Sequence, residues 1–323
     1  MGDGRPGRDW TRIRERGSMW GLRLTVACYR ALGPVLTLPL VYAVVAYFFA
    51  TDPTGRAASR RFLARIAARS DTGVGESSSE AREPGLWQSF LHYREFALSI
   101  ADRIGLWGGR EEDFEFAFSG REHFDRLHAE GRGAILYGAH LGSFDALRVL
   151  SVADGVPVNV LMYTRHAAKI NAIFRELGPG AELRVIAADD DAATTALRIK
   201  ACLDRAEHVA ILADRVEPND RHRARWIDFL GAPAPFPIAP FELPLLFGAP
   251  ALLVLALRDG RRRYAVHVEM LADPYSPVPR ARRPELVEKL ARGYVSRLEH
   301  YCVRAPRQWF NFYDVWEARA EAS

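Results

Sequence analysis

The chain predicts an α/β fold, with a mostly parallel central sheet flanked by helices and an N-terminal hydrophobic membrane-anchor helix. Three observations predict it. Short apolar runs alternate with helix-length segments between residues 133 and 213, two longer β-rich runs follow around a basic turn, and residues 31–50 hold no charge. At 323 residues with 49% hydrophobic and 26% charged content, the chain is long enough for a large core and ordinary for a globular protein.

The elements follow in order. Residues 31–50 are about as long as a bilayer core requires, with arginines on both sides: Arg12, Arg14, Arg16, Arg23 and Arg30 before, and Arg56, Arg60, Arg61 and Arg65 after. Pro34 and Pro39 interrupt a straight helix there, so a kinked, partly inserted anchor stands beside a full span and a buried core helix. No cleavage site follows, so the anchor is expected to stay. These features give a basic N-terminal region and anchor over 1–70, a Gly/Ser-rich linker over 71–86 and a catalytic domain over 87–323.

Within that domain residues 87–104 read as an amphipathic helix ended by Gly105, Gly108 and Gly109. Strands are expected at 133–138, 158–163, 183–187 and 209–213, with helices at 146–150, 167–177 and 192–206 between them. Residues 251–257 and 264–270 read as a hairpin, and 284–304 as a closing helix. Pro233, Pro235, Pro237 and Pro240 stiffen the segment carrying Phe236 and Phe241, which could line an acyl channel or pack in a core. The aromatic ending 308–316 suits either core packing or a membrane interface, with packing near the pocket the expectation.

Cys28, Cys202 and Cys302 stand far apart, which points to neither a disulfide framework nor a zinc site. No metal is expected. The net charge of +4 favours acidic partners, but the arginines are too scattered for a nucleic-acid surface, leaving a membrane surface or an acidic carrier protein.

The candidate site is the stretch Gly138-Ala139-His140-Leu141-Gly142-Ser143-Phe144-Asp145, where a strand gives way to a helix. With nine histidines and 40 acidic residues, about one His-x-x-x-x-Asp/Glu is expected by chance, so the strand, turn and helix context carries the argument. There His140 is a candidate general base and Asp145 the carboxylate that orients it, at the sheet edge where ligands bind in open α/β folds. Arg165 follows another strand and could hold a phosphate or carboxylate. Asp214 and Arg215 follow a third, and could form a local pair or contact the acceptor. Backbone N–H groups at Gly142-Ser143 or the Arg165 side chain are candidate oxyanion donors. A hydrolase using Ser143 as nucleophile is a rival reading, but no Gly-x-Ser-x-Gly elbow surrounds it.

Several motifs together resemble the lipid A biosynthesis acyltransferases, the bacterial lauroyl and myristoyl transferases of the lysophospholipid-acyltransferase-like superfamily. They are Glu15-Arg16-Gly17-Ser18 ahead of the apolar run, Arg56-Ala57-Ala58-Ser59-Arg60, the His140 motif, Asp214-Arg215 before Phe229-Leu230-Gly231-Ala232-Pro233, and Pro306-Arg307-Gln308-Trp309. The resemblance implies an enzyme at the inner (cytoplasmic) membrane, its catalytic domain facing the cytoplasm. It implies transfer of a fatty acyl group from the thioester of acyl carrier protein to a hydroxyl of a membrane lipid or glycolipid, with no further cofactor. Matched by motif, the family's catalytic pair falls on His140 and Asp145. Two departures bear on the acceptor: the family usually carries Asp-Gln where this chain has Asp214-Arg215, and the ending Asn311-Phe312-Tyr313-Asp314 looks more like a branch associated with aryl polyene lipids. Some relatives acylate mannosylated phosphoinositides. The alternative is a non-catalytic, membrane-associated lipid-binding or scaffold protein of the same fold.

Overall fold

A computed structural model describes residues 19–70, 84–107, 111–144, 155–162, 184–188, 191–216 and 222–317. The described residues form two units, each built from separated stretches of chain: one from Met1–Ala101, Val216–Pro237 and Glu299–Ser323, the other from Asp102–Arg215 and Ile238–Leu298.

The second unit holds a seven-stranded sheet. Its strands are β1 (Glu115–Ser119), β2 (Ile135–Gly138), β3 (Val158–Met162), β4 (Arg184–Ala187), β5 (His208–Leu212), β8 (Ala251–Arg258) and β9 (Arg263–Ala272), in the order β1-β9-β8-β2-β5-β3-β4. All neighbours are parallel except β8 and β9, the expected hairpin. All of β2, and β8 from Ala251 to Leu257, is buried, as a parallel sheet covered on both faces requires. The helices are α4 (Glu122–Ala129), α5 (Ala192–Asp204), the short α6 (Leu243–Phe247), and parts of α3 (Leu86–Trp107) and α7 (Arg283–Arg304). Asp191 caps α5 by accepting the N–H groups of Ala193 and Thr194, each at 3.0 Å.

The expected strands and the helices near 87–104, 192–206 and 284–304 are present with shifted ends. Gly105 does not end α3, which runs on to Trp107. The expected helices at 146–150 and 167–177 lie outside the described residues. Neither β1 nor the antiparallel ribbon of β6 (Ala224–Phe229) and β7 (Ala232–Pro237) around Leu230 and Gly231 is among the expected elements. Prolines hid it, because Pro cannot donate to a ladder. Here Pro233, Pro235 and Pro237 fall on every second residue, which leaves the residues between them to bond the partner strand. Phe236 and Phe241 are both core residues: Phe236 packs on Phe229 in the first unit, and Phe241 on Tyr137 and Tyr294 in the second.

In the first unit α1 (Met19–Thr51) breaks at Gly33, whose φ of 74° lies immediately before Pro34. Proline disfavours the helical conformation at the residue before it, and glycine accepts the positive φ adopted here. Val41 and Val45 are buried with Tyr93, against Phe49, Phe90 and Phe312. Leu36, Val44 and Tyr47 are exposed. Asp52 and Pro53 then start α2 (Pro53–Ser70), with Asp52 Oδ1 accepting the Gly55 N–H at 3.0 Å.

A buried polar chain ties this unit together. Ser89 donates to Ser59 (2.9 Å), Ser59 Oγ lies 3.0 Å from His92 Nδ1, and His92 Nε2 lies 2.9 Å from the Trp309 carbonyl. A carbonyl only accepts, so Nε2 carries the proton and Nδ1 accepts from Ser59. Burial pushes His92 down from 6.5 to about 4, and His208 in the second unit likewise. Both folded-state values lie below the unfolded one, so their contribution is complete above about 6.5 and is lost as pH falls toward about 4. For each histidine this is on the order of 3 kcal/mol. Urea unfolding at about pH 7 and about pH 5 should show the loss, and His92→Gln, which does not titrate, should make the pH dependence shallower. An unchanged slope in that variant rules out His92 as a source.

Candidate active site

The parallel register of β2 and β5 sets Gly138 opposite Leu212. Two residues farther on, past the carboxyl ends of both strands, His140 and Asp214 face each other. The Asp214 carboxylate accepts twice from His140: Oδ1 lies 2.8 Å from Nδ1, and Oδ2 accepts the backbone N–H at 3.0 Å. Two bonds from one carboxylate fix both ring and backbone. The Asp214 side chain has no exposed surface, whereas the imidazole keeps 28% of its own.

The supports are equally specific. The Gly138 carbonyl accepts the Ala213 N–H (3.2 Å) and the Tyr294 hydroxyl (2.9 Å). Gly142 has φ of 72°, and a Cβ there would lie 2.0 Å from the Ala256 carbonyl oxygen. That same oxygen accepts the Ser143 N–H at 2.8 Å, so the turn after His140 is pressed onto β8.

Electrostatics decide the protonation states. Burial lowers the His140 pKa and Arg215 lowers it further, with Arg103 adding to this, while Asp214 opposes them. Burial would raise Asp214, but His140 and Arg215 outweigh it and hold the carboxylate below its usual range. At neutral pH the pair is therefore a neutral imidazole beside a carboxylate. The carboxylate can only accept, so the proton sits on Nδ1 and the lone pair on Nε2. Among the described residues Nε2 has no hydrogen-bond partner. This geometry can take a proton from a hydroxyl. Asp102 accepts from Arg258 (3.0 Å) and Tyr264 (2.8 Å), which fixes the part of α3 that carries Arg103.

The carboxylate that the structure brings to Nδ1 is Asp214, expected from the sequence as a substrate contact. Asp145 and Arg165 lie outside the described residues. Of the described substrate-binding candidates, Arg215 lies near enough to act on His140. The Ser143 N–H is spent on Ala256 and is not an oxyanion donor. The Ser143 hydroxyl is buried without a partner among the described residues, so none of them activates it as a nucleophile. The sequence did carry a signal for Asp214, as an acid placed two residues past a strand end, but not the register that pairs it with His140. Among the described residues no group of three or more metal-ligating side chains is gathered.

No protein-family model matches the chain, and no curated protein matches it significantly. Among the described residues no single helix is long and apolar enough to cross a membrane. The pair Leu36–Thr51 and Pro53–Arg69, bent by 95°, reaches that length and composition together.

Proposed function

We propose that this chain is an O-acyltransferase that moves a fatty acyl group from the thioester of acyl carrier protein to a hydroxyl of a membrane lipid or glycolipid. One observation carries the reading: at the carboxyl edge of a parallel sheet Asp214 holds the Nδ1 proton of His140, and among the described residues nothing bonds the Nε2 lone pair. In this mechanism Nε2 takes the acceptor hydroxyl's proton as its oxygen attacks the thioester carbonyl. The tetrahedral adduct collapses, the C–S bond breaks, and the imidazolium returns its proton to the leaving thiolate. No acyl-enzyme forms. Asp214 stabilises the transient imidazolium, and Arg215 with Arg103 supplies positive charge near the developing oxyanion.

Several features support an inner-membrane location with the site facing the cytoplasm. Leu36, Val44 and Tyr47 offer an exposed apolar face on α1, and α2 carries arginines without a single acidic residue. The bent pair suits an anchor held in the interface by apolar burial and attraction to anionic lipid.

The test is acyl transfer from labelled acyl carrier protein to a total membrane lipid extract. General base catalysis is worth ~10²–10⁴-fold, and His140→Ala is expected to lose that much. Label entering lipid at the same rate with the variant ends the proposal. Label released only as free fatty acid makes the chain a hydrolase.

A further inference from the structure

Arginines 61, 65 and 69 of α2 recur every four residues and so share one stripe of the helix. The C-terminal stretch answers the outer two: Arg61 pairs with Asp314, and Arg69 Nε with Glu299 at 2.7 Å. Arg65 has no such partner. Its guanidinium lies 4.4 Å over the Trp316 ring, with one long bond of 3.4 Å to the Leu230 carbonyl, and no carboxylate pairs with it among the described residues.

The flanking acids are already committed. Glu299 Oε2 accepts the Leu230 N–H at 2.6 Å, and Asp314 Oδ1 accepts the Trp316 N–H at 3.0 Å. Beside Arg65 opens a cavity of about 320 Å³, lined by Arg61, Ala64, Arg65, Ala68, Asp314 and Trp316. Ala64 and Ala68 have no side chain beyond Cβ to fill it. A guanidinium stacked through its face keeps edge N–H donors for an anion.

We infer that the cleft between Arg65 and Trp316 binds a singly charged phosphodiester, the chemistry of an anionic phospholipid headgroup. One negative charge completes the stripe, and two phosphate oxygens match the fork of Arg65. The cavity lies at the small end of ligand pockets, which suits a headgroup and not an acyl chain. The exposed apolar face of α1, in the same unit, favours a bilayer over a soluble source. The inference rests on the membrane placement proposed above and not on the transfer chemistry.

The experiment measures binding of the full chain to phosphatidylcholine vesicles with and without phosphatidylglycerol, and to soluble glycerophosphoglycerol. Arg65→Gln is expected to weaken binding to the anionic vesicles about tenfold or more, because it removes a charge-assisted fork. Arg65→Lys should fall between, keeping charge but losing the planar fork. Arg292→Gln, an exposed arginine on α7, removes the same charge elsewhere and should change binding less than about twofold. Arg65-dependent binding of glycerophosphoglycerol as tight as that of vesicles supports the cleft with a soluble phosphodiester as its source. Equal vesicle binding by wild type, Arg65→Gln and Arg65→Lys overturns the cleft while leaving the membrane placement standing. A wild-type chain that binds neither vesicles nor the soluble diester overturns it as well, and neither outcome touches the His140 chemistry. Matching thermal unfolding of the variants excludes misfolding as the cause.

Discussion

Asp214→Asn is expected to lower acyl transfer by as much as ~10⁴-fold, because an amide can donate to Nδ1 and leave the proton on Nε2, the nitrogen that must receive one. The fold should survive, since an amide oxygen can still accept the His140 backbone N–H now bonded at 3.0 Å. A second readout separates orientation from simple damage. Asp214 raises the His140 pKa, against burial and Arg215, so its loss should move the acid limb of the pH–rate profile to lower pH as the maximum rate falls. In the wild type that limb should already lie below the ordinary 6.5 of a free imidazole, with the base fully available at neutral pH. Asp145→Asn made in parallel decides between the two acids: a larger loss there than at Asp214 would return the orienting role to Asp145.

Gly142→Ala is expected to destabilise the protein by at least about 3 kcal/mol, with turnover falling alongside. A Cβ at this position would come within 2.0 Å of the Ala256 carbonyl oxygen, a backbone atom in a buried strand that cannot swing aside, and the φ of 72° already disfavours any side chain. Relief requires the turn to lift from β8, which breaks the 2.8 Å bond from the Ser143 N–H and shifts His140 two residues before it. Urea unfolding checks the stability and the labelled transfer assay the rate. A shift within about 0.5 kcal/mol, the range of an ordinary surface change, refutes this account of Gly142.

Much of the sheet was legible because a buried parallel strand announces itself as a short apolar run with helix-length spacing to the next. Residues 133–138 and 209–213 became β2 and β5 within a few positions. The ribbon of β6 and β7 was not legible, since its alternating prolines oppose a strand locally and only pairing across Leu230-Gly231 makes them tolerable. The break at Gly33 shows a different limit. Pro34 and Pro39 both oppose a straight helix, yet only the first follows a glycine able to take a positive φ.

The histidine is legible in the chain itself. A strand, Gly-Ala-His and a Gly-Ser turn follow one another along the chain, and local chemistry places His140 at a sheet edge. Its partner is not, because the choice between Asp145, five residues away, and Asp214, seventy-four away, depends on which strand lies beside β2 and in what register. Periodicity along the chain reports what each segment buries. Hydrogen bonds between strands distant in sequence decide which side chains meet, and here they gave the imidazole to Asp214.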